Sequence, residues 1–253
     1  MNRYTPFSYK ANQGFASGTL AVIVLFLLAV GGLAWVSLGI IANDRWPIRW
    51  LELNGAFQRV SAEQLRASIT PLIDESFFTL DLQDLKESAG RISWVSSVHV
   101  QKAWPDTVTV TIEEYVPIAH WNRGHLVSAR GEAFRVSEAD EIQGLPWLRG
   151  PSERLEDVLR NWSDFSDLLA PIGLEITALN LDTRGAWSMQ LDNGTHVQLG
   201  RDSARERLQR LLASWDSLMH DQTVPPQDVD LRYTNGFAVL WPQHPDTVKG
   251  IDS

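Results

Sequence analysis

The spacing of apolar and polar positions along the chain changes character in successive stretches. From Thr19 to Ala42 the sequence "TLAVIVLFLLAVGGLAWVSLGIIA" contains no charged residue. As a helix it would rise about 36 Å, enough to cross a hydrocarbon layer of about 30 Å with some tilt. A cleaved signal peptide has a shorter apolar run ending at a small-x-small site, and Ile40-Ile41-Ala42-Asn43 offers none. The stretch therefore predicts a retained membrane anchor, the competing reading being a buried core helix. After it the periods shorten. Residues 48–53 predict a strand, and Asn54-Gly55 a turn. Ser61 and Gln64 fit a capping box, with Val60 and Leu65 as its hydrophobic staple, opening a helix from 62 to about 73. A second helix is expected from Asp81 to Gly90, with Leu82, Leu85 and Ala89 on one face. Val98 and Val100 then alternate with polar residues, as do Val108, Val110 and Ile112. That is the period of two strands, joined at Pro105-Asp106.

Pro117 punctuates a boundary. Beyond it short strands are expected at 118–122, 125–129 and 132–136, with a turn at Arg130-Gly131. Apolar residues at 155, 158, 159, 162, 165 and 169 have helical spacing, with Ser152 the expected N-cap and Pro171-Gly173 the stop. Strands resume at 175–182, 186–192 and 195–199, the last two joined by Asp192-Asn193-Gly194. Ser203 and Glu206 fit a capping box for a helix carrying Leu208, Leu211, Leu212, Trp215 and Leu218. A closing hairpin spans 228–241, folded about Thr234-Asn235-Gly236, and residues 243–253 carry no period and are expected to be disordered.

Composition narrows the function. The formal net charge of -9 argues against general nucleic-acid or anionic-membrane binding. The absence of cysteine removes disulfide frameworks, thiolate zinc sites and cysteine nucleophiles. Eleven tryptophans are spread along the chain, most of them expected as core fillers, with Trp46 and Trp50 placed to mark a membrane interface. Arg3 and Lys10 precede the anchor without an acid, whereas Asp44 accompanies Arg45 and Arg49 after it, which tilts the N-terminus toward the cytoplasm.

Candidate chemistry is sparse. The six histidines form no metal-ligand spacing and are read as surface or loop residues. Glu138, Asp140 and Glu141 are read as a solvated loop, and Glu113 and Glu114 point to opposite faces of a strand. No nucleophile elbow, S-x-x-K or P-loop is present, and no metal or cofactor is expected.

Strand-helix-helix-strand-strand with a "WPDT" turn resembles a POTRA domain, the polypeptide-transport-associated module. With one anchor before it and "EEYVPIAHWNRGHLVSARGEAF" after it, the chain resembles the FtsQ/DivIB family of bacterial division proteins. The residues that carry this are Val100, Lys102, Trp104, Pro105 and Asp106, then Glu114-Tyr115-Val116-Pro117, Ala119, Trp121 and Gly131. "VDLRYTNGFAVLW" resembles the last strand pair of proteobacterial members, and Tyr115 departs from the arginine many members carry there. The implied fold is α+β: a single transmembrane helix, a POTRA-like β-α-α-β-β domain, and a mixed β domain with an antiparallel sheet and two helices. The implied division is a cytoplasmic head at 1–18, the helix at 19–42, the POTRA-like domain at 46–116, the β domain at 117–242 and the tail at 243–253.

The resemblance implies a non-catalytic divisome scaffold in the bacterial inner membrane, with its bulk in the periplasm at the septum. Its implied partners are FtsB and FtsL, with FtsA, FtsK, FtsW and FtsI as further division proteins. The docking surface for FtsB is implied at Arg184, Gly185, Arg232, Tyr233, Asn235, Gly236, Leu240 and Trp241. Val100, Lys102 and Trp104 match a recruitment face, although Trp104 also suits a purely structural role. Residues 237–241, "FAVLW", hold neither charge nor proline, so an extended partner segment could add there as another strand. An ordinary covered edge with Trp241 in the core is the competing reading. A membrane-anchored POTRA-containing transport or chaperone component is the alternative function.

Overall fold

A computed structural model describes residues 15–41, 46–73 and 76–242. Most of the head, Asp44, Arg45 and the tail at 243–253 lie outside the described residues. The chain forms two compact units, divided between Glu114 and Tyr115. Helix α1 runs Phe15–Ile41. Its Leu20–Ser37 stretch is long and apolar enough to cross a membrane, and none of it is buried against the rest of the chain. A soluble core helix would be covered by its own protein, so the exposure argues against that alternative.

In the first unit, β1 (Trp50–Asn54), α2 (Ala62–Ile69), α3 (Leu82–Gly90), β2 (Val95–Ala103) and β3 (Thr107–Glu114) follow in order. The sheet order is β1-β3-β2, with β1 parallel and β2 antiparallel to β3. The capping box is present: Gln64 N–H donates to Ser61 Oγ at 3.0 Å, and Ser61 N–H donates to Gln64 Oε1 at 3.1 Å. Helix α2 is shorter than expected, passing into a 3₁₀ turn over Thr70–Leu72 because Pro71 cannot donate to an α-helical ladder. Leu65, Ile69, Leu85 and Ala89 bury their faces against Val100, Val108, Val110 and Ile112. The Glu114 carboxylate closes the far end, accepting from the Arg59 and Val60 N–H groups.

The second unit is a nine-stranded sheet with two helices. Strands β4 (Pro117–Trp121), β5 (His125–Ser128), β6 (Ala133–Arg135) and β7 (Trp147–Arg149) precede α4 (Leu155–Leu169). Strands β8 (Ile176–Leu181), β9 (Trp187–Leu191) and β10 (His196–Gly200) precede α5 (Ala204–Met219), and β11 (Asp228–Asp230) and β12 (Ala238–Leu240) are the last described elements. The sheet order is β12-β11-β10-β9-β8-β7-β4-β5-β6. It is less antiparallel than expected, because β7 runs parallel to both β4 and β8, and β10 runs parallel to β11. Apolar faces of α4 and α5, including Val158, Phe165, Leu208 and Leu211, share one core with Leu179, Met189, Val197 and Val229 of the sheet.

Several expectations are corrected here. Ser152 does not cap α4; Ser152–Arg154 forms a 3₁₀ turn and the helix starts without a side-chain cap. Ser203 sits at φ 54°, not in the extended conformation that aims a cap hydroxyl at the first turn, and makes no capping bond. His120 is a core residue, not a surface one: it is buried, stacks on Trp147 at 4.0 Å, and its Nε2 lies 2.9 Å from the Ile142 carbonyl. Among the tryptophans only Trp121, Trp187 and Trp215 are buried.

Candidate functional site

The candidate site begins with the last strand. Strand β12 ends the sheet and pairs with β11 in antiparallel register, Asp228 opposite Leu240, Val229 opposite Val239 and Asp230 opposite Ala238. Side chains alternate along it. Val239, with neighbouring Phe237, packs on the core, whereas Ala238 and Leu240 face outward, Leu240 being 57% exposed. Trp241 is half-buried, between the two readings of its role. Among the described strands none covers the outer side of β12.

The connection to β12 is longer than a tight turn. Residues 231–237 bridge two strands of three residues each, and three anchors hold the bridge. Leu231 is buried and its N–H donates to the Gln198 carbonyl at 2.8 Å. Arg232 folds back on Asp230, donating from its backbone N–H, from Nε at 2.9 Å and from Nη2 at 2.7 Å. Arg210 of α5 donates to the Thr234 carbonyl at 2.9 Å. Tyr233 projects beyond these anchors, 57% exposed, with Asn235 exposed and Gly236 half-buried beside it.

This geometry changes the role expected for Arg232. Its guanidinium is already matched by a carboxylate, so it is not an uncompensated cation awaiting an acidic partner. Hydrogen bonds from the Arg232 side chain, opposed by partial burial, hold the Asp230 carboxyl below the ordinary carboxylate range. A group depressed on folding contributes stability above its unfolded value, near 3.9, and loses that contribution as pH falls through the folded value. An NMR titration is therefore expected to show the Arg232 amide shifting at a lower pH than an unpaired aspartate carboxyl would impose. Asp230→Asn is expected to abolish that acid transition, and persistence of the transition in the variant would assign it to another group.

The Arg184-Gly185 turn joins β8 to β9. Asp182 Oδ1 accepts from the N–H groups of Arg184 at 2.8 Å and Ala186 at 2.7 Å, and Gly185 takes φ 87°. Trp187 opens β9 opposite Gly200, and β10 runs parallel to β11. The turn and the 231–237 connection thus lie at the same end of the sheet, with the end of β10 between them. Gly200, at φ 79°, is required there: a Cβ would lie 3.1 Å from Arg232 Cγ and collide with the Arg207 guanidinium. Arg207 in turn donates to the Leu199 carbonyl at 2.7 Å. Sequence reading missed Gly200, Arg207 and Arg210, because polar positions on an amphipathic helix resemble a solvated face until the loop they hold is in place.

In the first unit the recruitment-face residues are graded. Val100 is buried in the core, Lys102 is half-buried with its ammonium 5.6 Å from the Phe77 ring centroid, and Trp104 is 73% exposed. Trp104 is therefore no core filler, and Val100 presents no surface. Elsewhere, His196 Nδ1 lies 2.9 Å from Asp228 Oδ2 on the face of the sheet shared with Leu240. Among the described residues no group of three or more His, Cys, Asp or Glu is placed to hold a metal.

Comparison with known proteins assigns both units. Residues 46–115 match the FtsQ-type POTRA domain, and residues 119–246 match the C-terminal domain of cell division protein FtsQ/DivIB. The chain is 39% identical over 201 residues to a cell division protein FtsQ from Xanthomonas campestris, covering 79% of this chain and 72% of that protein. It is 36% identical over 229 residues to a protein of the same description from Allochromatium vinosum, covering 88% and 89%. A third, from Cellvibrio japonicus, is 34% identical over 230 residues, covering 91% and 72%.

Proposed function

The chain belongs to the FtsQ/DivIB family of cell division proteins, and on that premise we propose that it is a bitopic scaffold of the bacterial divisome that works by holding partners. In this reading α1 crosses the inner membrane, the N-terminus faces the cytoplasm, and both units stand in the periplasm at the septum. The captured partner is FtsB, paired with FtsL, and the complex couples early cytoplasmic assembly to later wall synthesis. FtsA, FtsK, FtsW and FtsI are the further division proteins brought into register.

The observation that carries this reading is that β12 stands last in the sheet and that none of the described strands covers its outer side. An extended segment of the partner would add there as a further strand, main-chain hydrogen bonds supplying affinity and side-chain seats supplying selectivity. Leu240 and Ala238 offer the apolar seat, and Tyr233 an exposed amphipathic ring of the kind enriched at binding hot spots. Arg232 contributes less than its charge suggests, because Asp230 already neutralises it. Arg210 holds the loop that carries Tyr233, limiting the ordering cost on binding.

The absence of cysteine makes the test clean. Single cysteines at Ala238, Val239 and Leu240 are to be paired with single cysteines along the partner's segment. Cross-links are expected from 238 and 240 but not from core-facing 239, to partner positions two residues apart. Cross-linking without that alternation, or none beside normal septal localisation, would refute strand addition.

A further inference from the structure

We propose that the end of the first unit bearing Trp46, Trp50, Phe78 and Trp104 seats on the lipid headgroup layer beside the anchor; the inference rests on reading α1 as membrane-spanning. These four residues are 37%, 66%, 46% and 73% exposed, and they are the exposed large apolar side chains of the described first unit outside α1. Their gathering at one end follows from the topology. Trp50 pairs with Thr107 at the start of β1, so the β2–β3 turn carrying Trp104 and Pro105 lies at that same end. The backbone N–H groups of Arg49 and Trp50 both donate to the Asp106 carbonyl, at 3.0 Å and 3.3 Å. Phe77 N–H donates to the Trp46 carbonyl at 3.0 Å, and the Trp46 and Phe78 rings meet edge-on at 5.6 Å.

The length of the tether identifies the occupant. Helix α1 ends at Ile41 and Trp46 follows five residues later. Five residues reach at most about 18 Å. Trp46 is thereby held within about 18 Å of the end of α1 however the tether is arranged, and the other three aromatics share its end of the unit. Tryptophan favours that layer because its ring has an apolar body and a polar N–H. Contiguous exposed apolar surface otherwise marks an interaction site, and here the nearest surface is lipid. Seating this end would turn Glu114, at the opposite end of β3, away from the bilayer.

The full chain is to be reconstituted in vesicles of phosphatidylethanolamine and phosphatidylglycerol, with a single environment-sensitive label at Thr79→Cys or at Glu63→Cys. Thr79 is exposed and adjoins Phe78, and Glu63 is exposed in the first turn of α2, near Val60 at the Glu114 end. Doxyl lipids labelled near the headgroup are expected to quench the Thr79 label's emission, as befits an interfacial site, and to leave the Glu63 label's unquenched. The triple variant Trp50→Ser, Phe78→Ser, Trp104→Ser is expected to release the Thr79 label from quenching while keeping its circular dichroism. A chain that floats with the vesicles but leaves the Thr79 label as solvated as Glu63 would overturn the proposal. Protection of that label only after a protein partner is added would overturn it too, assigning the aromatics to protein. Failure to float would reject the membrane-spanning reading of α1, and the proposal with it.

Discussion

Leu240→Asp is expected to abolish capture of the FtsB-like segment while leaving the melting of the second unit unchanged. The Leu240 side chain is more than half exposed and points away from the core that holds Val239 and Phe237. Its replacement therefore removes no buried contact, and the stability change is expected to stay within about 0.5 kcal/mol. The effect on binding is of another order. Removing an apolar anchor from a desolvated strand seat costs about 2 kcal/mol or more, at least thirty-fold in dissociation constant. A charge on the margin adds the desolvation cost that natural proteins use to keep strands from pairing. Titration with a synthetic partner segment, beside a thermal melt, reads both quantities. Full-strength binding with an unchanged melt would remove β12 as the docking margin. Tyr233→Ala offers a second exposed position, whereas Trp241→Ala is less decisive because a half-buried ring mixes binding with packing.

The existence of β12 was legible because it depends on local signals. Alternating residues and the turn formers Thr234-Asn235-Gly236 marked a short closing strand. The same logic located α2, α3, the Ser61 capping box and the β9–β10 turn at Gly194. What escaped depends on distant pairing. Strand β7 is only Trp147-Leu148-Arg149, and its hydrogen-bonding partners are β4 and β8, which no local period reveals. Its insertion between them produces two of the three parallel pairs; the third, β10 with β11, comes from the crossover through α5. The caps at Ser152 and Ser203 failed for the opposite reason: residue type suited a cap, but backbone conformation there was decided elsewhere. The Asp230–Arg232 pair was within reach of sequence reasoning, since residues two apart at a strand end can share a face. Burial of Val100 beside exposed Trp104 was not, because Val100 lies within β2 in the core of the unit whereas Trp104 follows the last residue of that strand, in the turn.

Phe165→Ala tests the support beneath the margin. Phe165 is fully buried in α4 and meets Trp187 edge-on, with ring centroids 6.0 Å apart. Truncation removes the transfer free energy of a benzyl group and leaves a cavity in a close-packed core, at a cost of about 3–5 kcal/mol. Against a total stability of roughly 5–15 kcal/mol, that loss leaves the second unit marginal near physiological temperature. Because residue 165 lies on α4 and not on β12 or its loop, every molecule that remains folded should still present the same edge. The variant is therefore expected to lower the number of binding-competent molecules without changing the dissociation constant of those that bind. Calorimetric titration separates the two, and warming should reduce the stoichiometry further as the folded population shrinks. Leu240→Asp is expected to weaken affinity in molecules that remain folded. If Phe165→Ala instead weakened affinity at full occupancy of the folded state, the edge could not be the independent element proposed, and binding would have to draw on the interior of the unit.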